Sequence, residues 1–376
     1  MRYSVFRCLL GTLVLGLLPL TAIAQPTPLG GEFRVNTTTS LNQSDPQVAM
    51  DAAGNFVVVW RDGDYTTGGL DGSSHGIVVQ RYDSSGSPIG GEVVVNTDTA
   101  GSQNEPAIDM DADGNYVVVW TDTAEFGGDG DGDGDGIAGR LFASDGRPVG
   151  PQFQVNSLTT FQQTRAKVAM SDAGGFVVTW GTFGDYDAEL FARRFDSAGN
   201  PISGDFQVNT TAPYRQYRAD VDFDADGDFV ILWRNDVDDD EDSDIYARLY
   251  DSAGNPQTDE FLLNTYTTGE QRNVSVSMGA GGEFVAAWQS EQDGSSRSVV
   301  AQRFDSAGNA LGGEIQVNTY TSSSQANPSV AMDANGNFSV VWASFRQDGD
   351  GRGVFGQQFD NTGTPVGGEF QVITCT

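Results

Sequence analysis

Ten aspartates in three glycine-rich stretches carry the densest chemistry in this chain. They are Asp129, Asp131, Asp133 and Asp135, then Asp238, Asp240, Asp242 and Asp244, then Asp348 and Asp350. Carboxylates at alternate positions, with glycines to turn the backbone, can fold their oxygens around one centre. Ca2+ takes six to eight oxygens at about 2.3–2.6 Å, and carboxylates this crowded repel one another unless a cation joins them. The run from Asp129 resembles the start of an EF-hand loop, but its twelfth position is Arg140 and not a glutamate. The ten residues are read as candidate Ca2+ ligands, against solvated acidic loops without metal.

A second series is spaced too regularly to be chance. Six asparagines, Asn36, Asn96, Asn156, Asn209, Asn264 and Asn318, are each followed seven residues later by a glutamine: Gln43, Gln103, Gln163, Gln216, Gln271 and Gln325. A glutamine in every copy of a repeat can read a ligand such as a sugar. It can also bridge neighbouring copies by hydrogen bonds, and this structural role weighs more, because such a bond is needed at every interface. A third series, Gln80, Arg140, Arg193, Arg248, Gln302 and Gln357, offers arginines to pair with acidic loops or with an acidic sugar. Catalytic signals are thin. His75 is the sole histidine, expected in a surface loop, and no Ser/His/Asp or Cys/His set assembles around it. Paired carboxylates suit a glycosidase, but with so many acids some pair always fits.

The elements that position these groups are repeated as well. The six tryptophans, Trp60, Trp120, Trp180, Trp233, Trp288 and Trp342, are spaced 60, 60, 53, 55 and 54 residues apart. Each ends a run such as Phe56–Trp60 that is apolar on both faces, as a strand buried on both sides must be. A period near 55 suits one four-stranded propeller blade. Turns such as Asp51–Asn55 and Asp305–Asn309 join strands in pairs, aspartate capping the turn and glycine supplying positive φ. The expected fold is all-β, a six-bladed β-propeller of four-stranded antiparallel blades. The outer-strand segment occurs seven times, beginning near Glu32, Glu92, Gln152, Asp205, Glu260, Glu314 and Glu369. One of its two terminal copies is therefore surplus to six blades.

Residues 1–24 read as a secretory signal: Arg2 and Arg7, a short apolar run, and Ala22-Ile23-Ala24 as a small-x-small cleavage site. Residues 25–376 are read as one closed domain of six repeats. The formal charge of −32 becomes −34 without the two signal arginines, and Lys167 is the only lysine. Such a charge argues against nucleic acid and anionic membranes as partners. Cys375 is the one cysteine left after the signal, so no internal disulfide forms. The protein is expected to be secreted or periplasmic, not inserted in a membrane, and monomeric.

The pattern Gly313–Thr319, Gln325, Pro328, Asp333–Trp342, Gln347-Asp348-Gly349 and Gln302–Gly308 resembles β-propeller repeats of secreted bacterial proteins, often found with calcium-binding modules. The resemblance covers nearly all of the chain after the signal and implies no settled activity. Copies 3 and 4 depart from it most: Arg165-Ala166-Lys167 and Arg218-Ala219-Asp220 replace the Gln-x-x-Pro context. Three functions are expected: a calcium-stabilised module that binds an extracellular carbohydrate or protein surface; a polysaccharide hydrolase or lyase using loop acids; or a structural propeller adapted to high salt. An enzyme should break the symmetry of the copies at one odd cluster.

Overall fold

A computed structural model describes residues 30–39, 41–64, 68–72, 74–123, 134–184, 188–210, 215–236, 242–294, 297–349 and 351–373. The signal segment and Cys375 lie outside them. Every named element among the described residues is a strand, so no helix is long and apolar enough to cross a membrane.

The strands fall into six antiparallel sets of four, one per tryptophan. Copy 1 holds β1 (Gln43–Met50), β2 (Phe56–Gly63), β3 (His75–Tyr82) and β4 (Pro88–Val94). Copy 2 holds β5 (Ser102–Met110), β6 (Tyr116–Thr123), β7 (Gly136–Phe142) and β8 (Phe153–Gln154). A single parallel pair, His75 with Ser102, links these two sets. Copy 3 holds β9 (Gln162–Met170), β10 (Phe176–Phe183), β11 (Ala188–Phe195) and β12 (Phe206–Gln207). Copy 4 holds β13 (Arg215–Phe223), β14 (Phe229–Asp236), β15 (Ser243–Tyr250) and β16 (Phe261–Leu262). Copy 5 holds β17 (Arg272–Met278), β18 (Phe284–Ser290), β19 (Ser298–Phe304) and β20 (Ile315–Gln316). Copy 6 holds β21 (Gln325–Met332), β22 (Phe338–Phe345), β23 (Arg352–Phe359) and β24 (Pro365–Gln371). Two compact units result, Arg34–Val221 and Asp222 onward, with the division inside β13.

The second strands are buried along their length, and all six tryptophans are core residues, 0–3% exposed. In each copy the aromatic that opens the second strand stacks on the one that closes the third. Examples are Tyr116 on Phe142 and Phe284 on Phe304, each with centroids 4.8 Å apart. Such a pair adds about 0.5–1.5 kcal/mol beyond burial. The expected turns form. Asp51 Oδ1 accepts from the amides of Ala53 and Asn55, and Gly54 takes φ +83.

The first strands begin earlier than the small-residue runs suggest, at the glutamine or its neighbour, and they carry a kink. Two residues after each glutamine stands one non-glycine residue in the left-handed region: Asp45, Glu105, Arg165, Arg218, Asn273 and Asn327, φ +51 to +61. The register of β1, β5, β17 and β21 against their partners shifts just there, as at a β-bulge.

The seven outer-strand segments are resolved by pairing. The segment containing Glu369 is β24 and completes copy 6. Glu32–Asn36 forms no named strand, and its Val35 carbonyl accepts from the Tyr82 hydroxyl. In copies 2 to 5 the outer strand pairs over only two residues, shorter than its alternating pattern suggests. Acids and amides of these strands reach the copy before: Glu92 accepts from the amide of Thr37, Gln152 from Thr97, Asp205 from Ser157, Glu314 from Thr265 and Glu369 from Thr319.

Candidate functional site

The glutamines sit at the base of the first strands. Gln103, Gln163, Gln216, Gln271 and Gln325 are 0–1% exposed, and Gln43 is half-buried. In copies 1 to 3 the glutamine oxygen accepts from the asparagine seven residues earlier: Asn36 to Gln43, Asn96 to Gln103, Asn156 to Gln163. In copies 5 and 6 it accepts instead from tryptophan, Trp288 to Gln271 and Trp342 to Gln325. In copies 1, 2, 5 and 6 the partner tracks the second residue after tryptophan, while copy 3, with Thr182 there, keeps the asparagine. Where that residue is Asp62 or Asp122, the glutamine NH2 donates to it. Where it is Ser290 or Ser344, the oxygen turns to the indole. The asparagine oxygens also take third-strand amides, as Asn96 does from Ile77 and Asn318 from Val299. Burial leaves a ligand almost no surface of the five enclosed glutamines.

The third-strand arginines turn to backbone and rings more than to loops. Arg140 donates to the Val95 carbonyl and Arg193 to Val155, each guanidinium lying over the aromatic two residues on. Arg193 also lies 3.6 Å from Asp205, an outer-strand acid.

Of the candidate Ca2+ ligands, Asp129, Asp131, Asp133, Asp238, Asp240 and Asp350 lie outside the described residues. Asp135 is half-buried just before β7, and its carbonyl accepts from the Gln163 amide. Asp242 accepts from the Gly269 amide and Asp244 from Asn264. Burial pushes the Asp244 carboxyl up, against the Asn264 hydrogen bond and with help from Asp242. Asp348 is half-buried in the turn before β23. Among the described residues no three His, Cys, Asp or Glu side chains converge as a metal site would require.

The sequence places His75 in a surface loop; the structure makes it the first residue of β3, 5% exposed, with Nδ1 3.3 Å from the Ser102 hydroxyl. Pairing with copy 2 draws it in, and burial, then Arg61, lowers its pKa.

The break in the repeat lies where copies 3 and 4 depart from the pattern. Arg165 occupies the left-handed bulge position of β9, where a side chain larger than Asn costs about 1–2 kcal/mol. Its guanidinium lies 5.1 Å from the Phe183 ring centre and 4.9 Å from that of Tyr217, the two rings being 5.9 Å apart. Glu105, at the same position of copy 2, accepts from the Arg165 amide at 3.0 Å and from Thr121 at 3.3 Å, with its other oxygen 3.9 Å from Arg165 Nε. Arg165 is 34% exposed and Glu105 44%. Phe161, also at positive φ, and Arg218 are exposed nearby in the sequence. A cation held on aromatic faces beside an accessible carboxylate and a phenol suits anionic sugar rings: the rings stack, and the guanidinium pairs a carboxylate or sulfate. Spacing does not reveal this group, since its members come from three copies.

One further carboxyl stands out. Asp109, late in β5, accepts from the Met170 amide at 2.6 Å. It keeps some exposed surface, yet desolvation, partly offset by amide bonds and reinforced by Asp220, pushes its carboxyl up to about 7.

No family model and no curated protein matches the chain. Solved structures do share its fold. A protein of unknown function from Dyadobacter fermentans DSM 18053 superposes with a TM-score of 0.56 at 12% identity, over 84% of this chain and 93% of that one. A polysaccharide lyase of family PL25, an ulvan lyase, gives 0.57 at 13% identity, over 88% and 85%. The polysaccharide lyase Uly1 gives 0.54 at 10% identity, over 87% and 81%. At these identities the likeness is one of fold.

Proposed function

We propose that this chain is a secreted six-bladed β-propeller that cleaves an extracellular uronate-containing polysaccharide by β-elimination. The observation that carries the reading is the Glu105–Arg165–Phe183–Tyr217 group, the place where near-identical copies diverge into an exposed cation, rings and a carboxylate. The lyases that share the fold support it, one of them solved with -[GlcA(1-4)Rha3S]- bound. They favour catalysis over the plain binding or adhesion module that the sequence also allows.

In this reading Phe183 and Tyr217 hold the sugar and Arg165 pairs the uronate carboxylate. The pairing stabilises negative charge that develops as the neighbouring C5 proton leaves. Glu105 takes that proton, the C–H electrons form the C4–C5 double bond, and the C4–O glycosidic bond breaks. The Tyr217 phenol gives its proton to the departing oxygen.

The test is release of unsaturated product, followed by ultraviolet absorbance, across a panel of uronate polysaccharides. Tyr217→Phe should keep the melting midpoint and lose about 100-fold in rate, the usual worth of a placed proton donor. Silence of the wild type across the panel, or full activity of Tyr217→Phe, sinks the proposal.

A further inference from the structure

We propose, resting on the polysaccharide reading above, that Phe161 is a stacking platform for a sugar ring further along the chain than the one held at the Arg165 group. It extends that site to the first residues of copy 3.

The backbone at this point is one that glycine fills best. In copies 2, 3 and 5 the residue two before the repeated glutamine lies in the left-handed region: Gly101 at φ +72, Phe161 at +70 and Gly269 at +73. Glycine enters that region freely, whereas any other side chain brings its Cβ against the following carbonyl oxygen. Apart from the six bulge residues, only Phe161 and Arg346 take positive φ among the described non-glycine residues. The fold gains little in return, since Phe161 is 54% exposed and adds little to the core. A strained residue without a packing return is characteristic of ligand clamps. Copy 3 is also the copy that carries Arg165 at its bulge.

The turn is held firmly. Gln163, 0% exposed, donates from Nε2 to the carbonyl oxygens of Thr160 at 2.7 Å and Phe161 at 3.1 Å. Asn156, 2% exposed, donates to the Gln163 oxygen at 3.1 Å and so fixes that amide. Gly134 packs behind: a Cβ there would stand 3.3 Å from the Phe161 carbonyl oxygen. The platform is thus set before a ligand arrives, and little ordering entropy is lost on binding.

Its place suits a polymer. Arg165 lies four residues further on and is the next left-handed residue. At about 3.3 Å per residue the two backbones are at most about 13 Å apart. A polysaccharide held by a uronate at Arg165 can therefore lay a later ring on Phe161. The C–H face of a pyranose is apolar and packs on an aromatic face without needing charge. Phe161 then reads chain length, while the Arg165 group reads the carboxylate.

The test uses the full chain carrying Tyr217→Phe, so that ligand is not consumed. The probes are sized oligosaccharides of hyaluronan, alginate and polygalacturonate, from the disaccharide upward, with affinity read by isothermal titration at one ionic strength. In at least one series affinity should rise about tenfold once the chain reaches Phe161, roughly the worth of one stacked ring. Phe161→Gly and Phe161→Leu should erase that step and Phe161→Tyr should keep it, with all three melting within a few degrees of the parent. No step in any series, a step that survives Phe161→Gly, or a step lost in Phe161→Tyr would each overturn the proposal. A step that needs the Phe161 ring, in a wild type that releases no unsaturated product, would retire the lyase reading and leave the platform standing. Product release without any step would do the reverse.

Discussion

The two units use one backbone device differently. In Arg34–Val221 the left-handed bulge carries Asp45, Glu105, Arg165 and Arg218; in the other unit it carries Asn273 and Asn327. Asparagine accepts this conformation readily, and Asn273 Nδ2 simply donates to Asn327 Oδ1 at 3.0 Å. Arginine and glutamate do not. The first unit therefore holds strained charge in the open, while the second relaxes the bulge and gathers Arg234, Arg272 and Arg297 around Glu270. Arginine and glutamate kept at a bulge that asparagine fills with less strain point to function. A parallel contrast runs along the first strands. The bond that Asp109 accepts from the Met170 amide is made in the second unit by Asp222 for Met278 and by the neutral Ser277 hydroxyl for Met332.

The largest effect should come from exchanging the bulge residues. Arg165→Asn should abolish polysaccharide cleavage, about 100-fold or more, yet raise stability by about 1 kcal/mol in denaturant melts, since it removes the strain. Asn273→Arg should cost about the same amount with no loss of activity. If Arg165→Asn destabilises, the bulge is not the seat of the strain.

Asp109 should give a pH-dependent difference. Its folded carboxyl titrates at about 7 and the unfolded one near its ordinary 3.8. Well below pH 3.8 both forms are protonated and the group costs nothing. As pH rises towards 7 only the unfolded chain gives up its proton, so stability falls, and above 7 the penalty is constant. Asp109→Asn should thus raise stability by about 1–2 kcal/mol at pH 8 and leave it unchanged at pH 3.5, partial exposure having reduced the full desolvation cost. Equal effects at both pH values would locate the gain elsewhere.

The smallest effect belongs to Asp45, which pairs with Arg61 at 3.3 Å while 48% exposed. Asp45→Asn should change stability by less than about 0.5 kcal/mol, and any change should vanish in high salt.

Much of the fold is legible in the residues. Tryptophan, the Asp-to-Asn turns and the doubly apolar second strand each impose one local geometry, and their recurrence fixes strand order within every copy. The glutamine–asparagine pairs are visible too, though not their change of partner to tryptophan in copies 5 and 6. The candidate site was hidden for two reasons. Arg165 and Glu105 are poor left-handed residues, so no turn chemistry marks their position. The contacts of Arg165 with Glu105 and with Tyr217 also join three copies, which no local pattern records. Aspartate is most abundant in loops such as Asp129–Asp135, most of which lies outside the described residues, while the Arg165 group uses a single acid. His75 departs from its sequence context: glycines beside it suggest a loop, and pairing with Ser102 makes a strand.

The amide clasps between outer strands and the copy before them have a consequence for what counts as one module. Thr319 is held by Glu369 and Thr37 by Glu92. The segment that reads as the start of a sequence repeat is therefore the finish of a structural one, and its last residues are held by the next. The unit that duplicates in the gene and the unit that closes in space are out of phase by one strand. A copy excised at its sequence borders would be severed from its own outer strand and would carry a neighbour's instead.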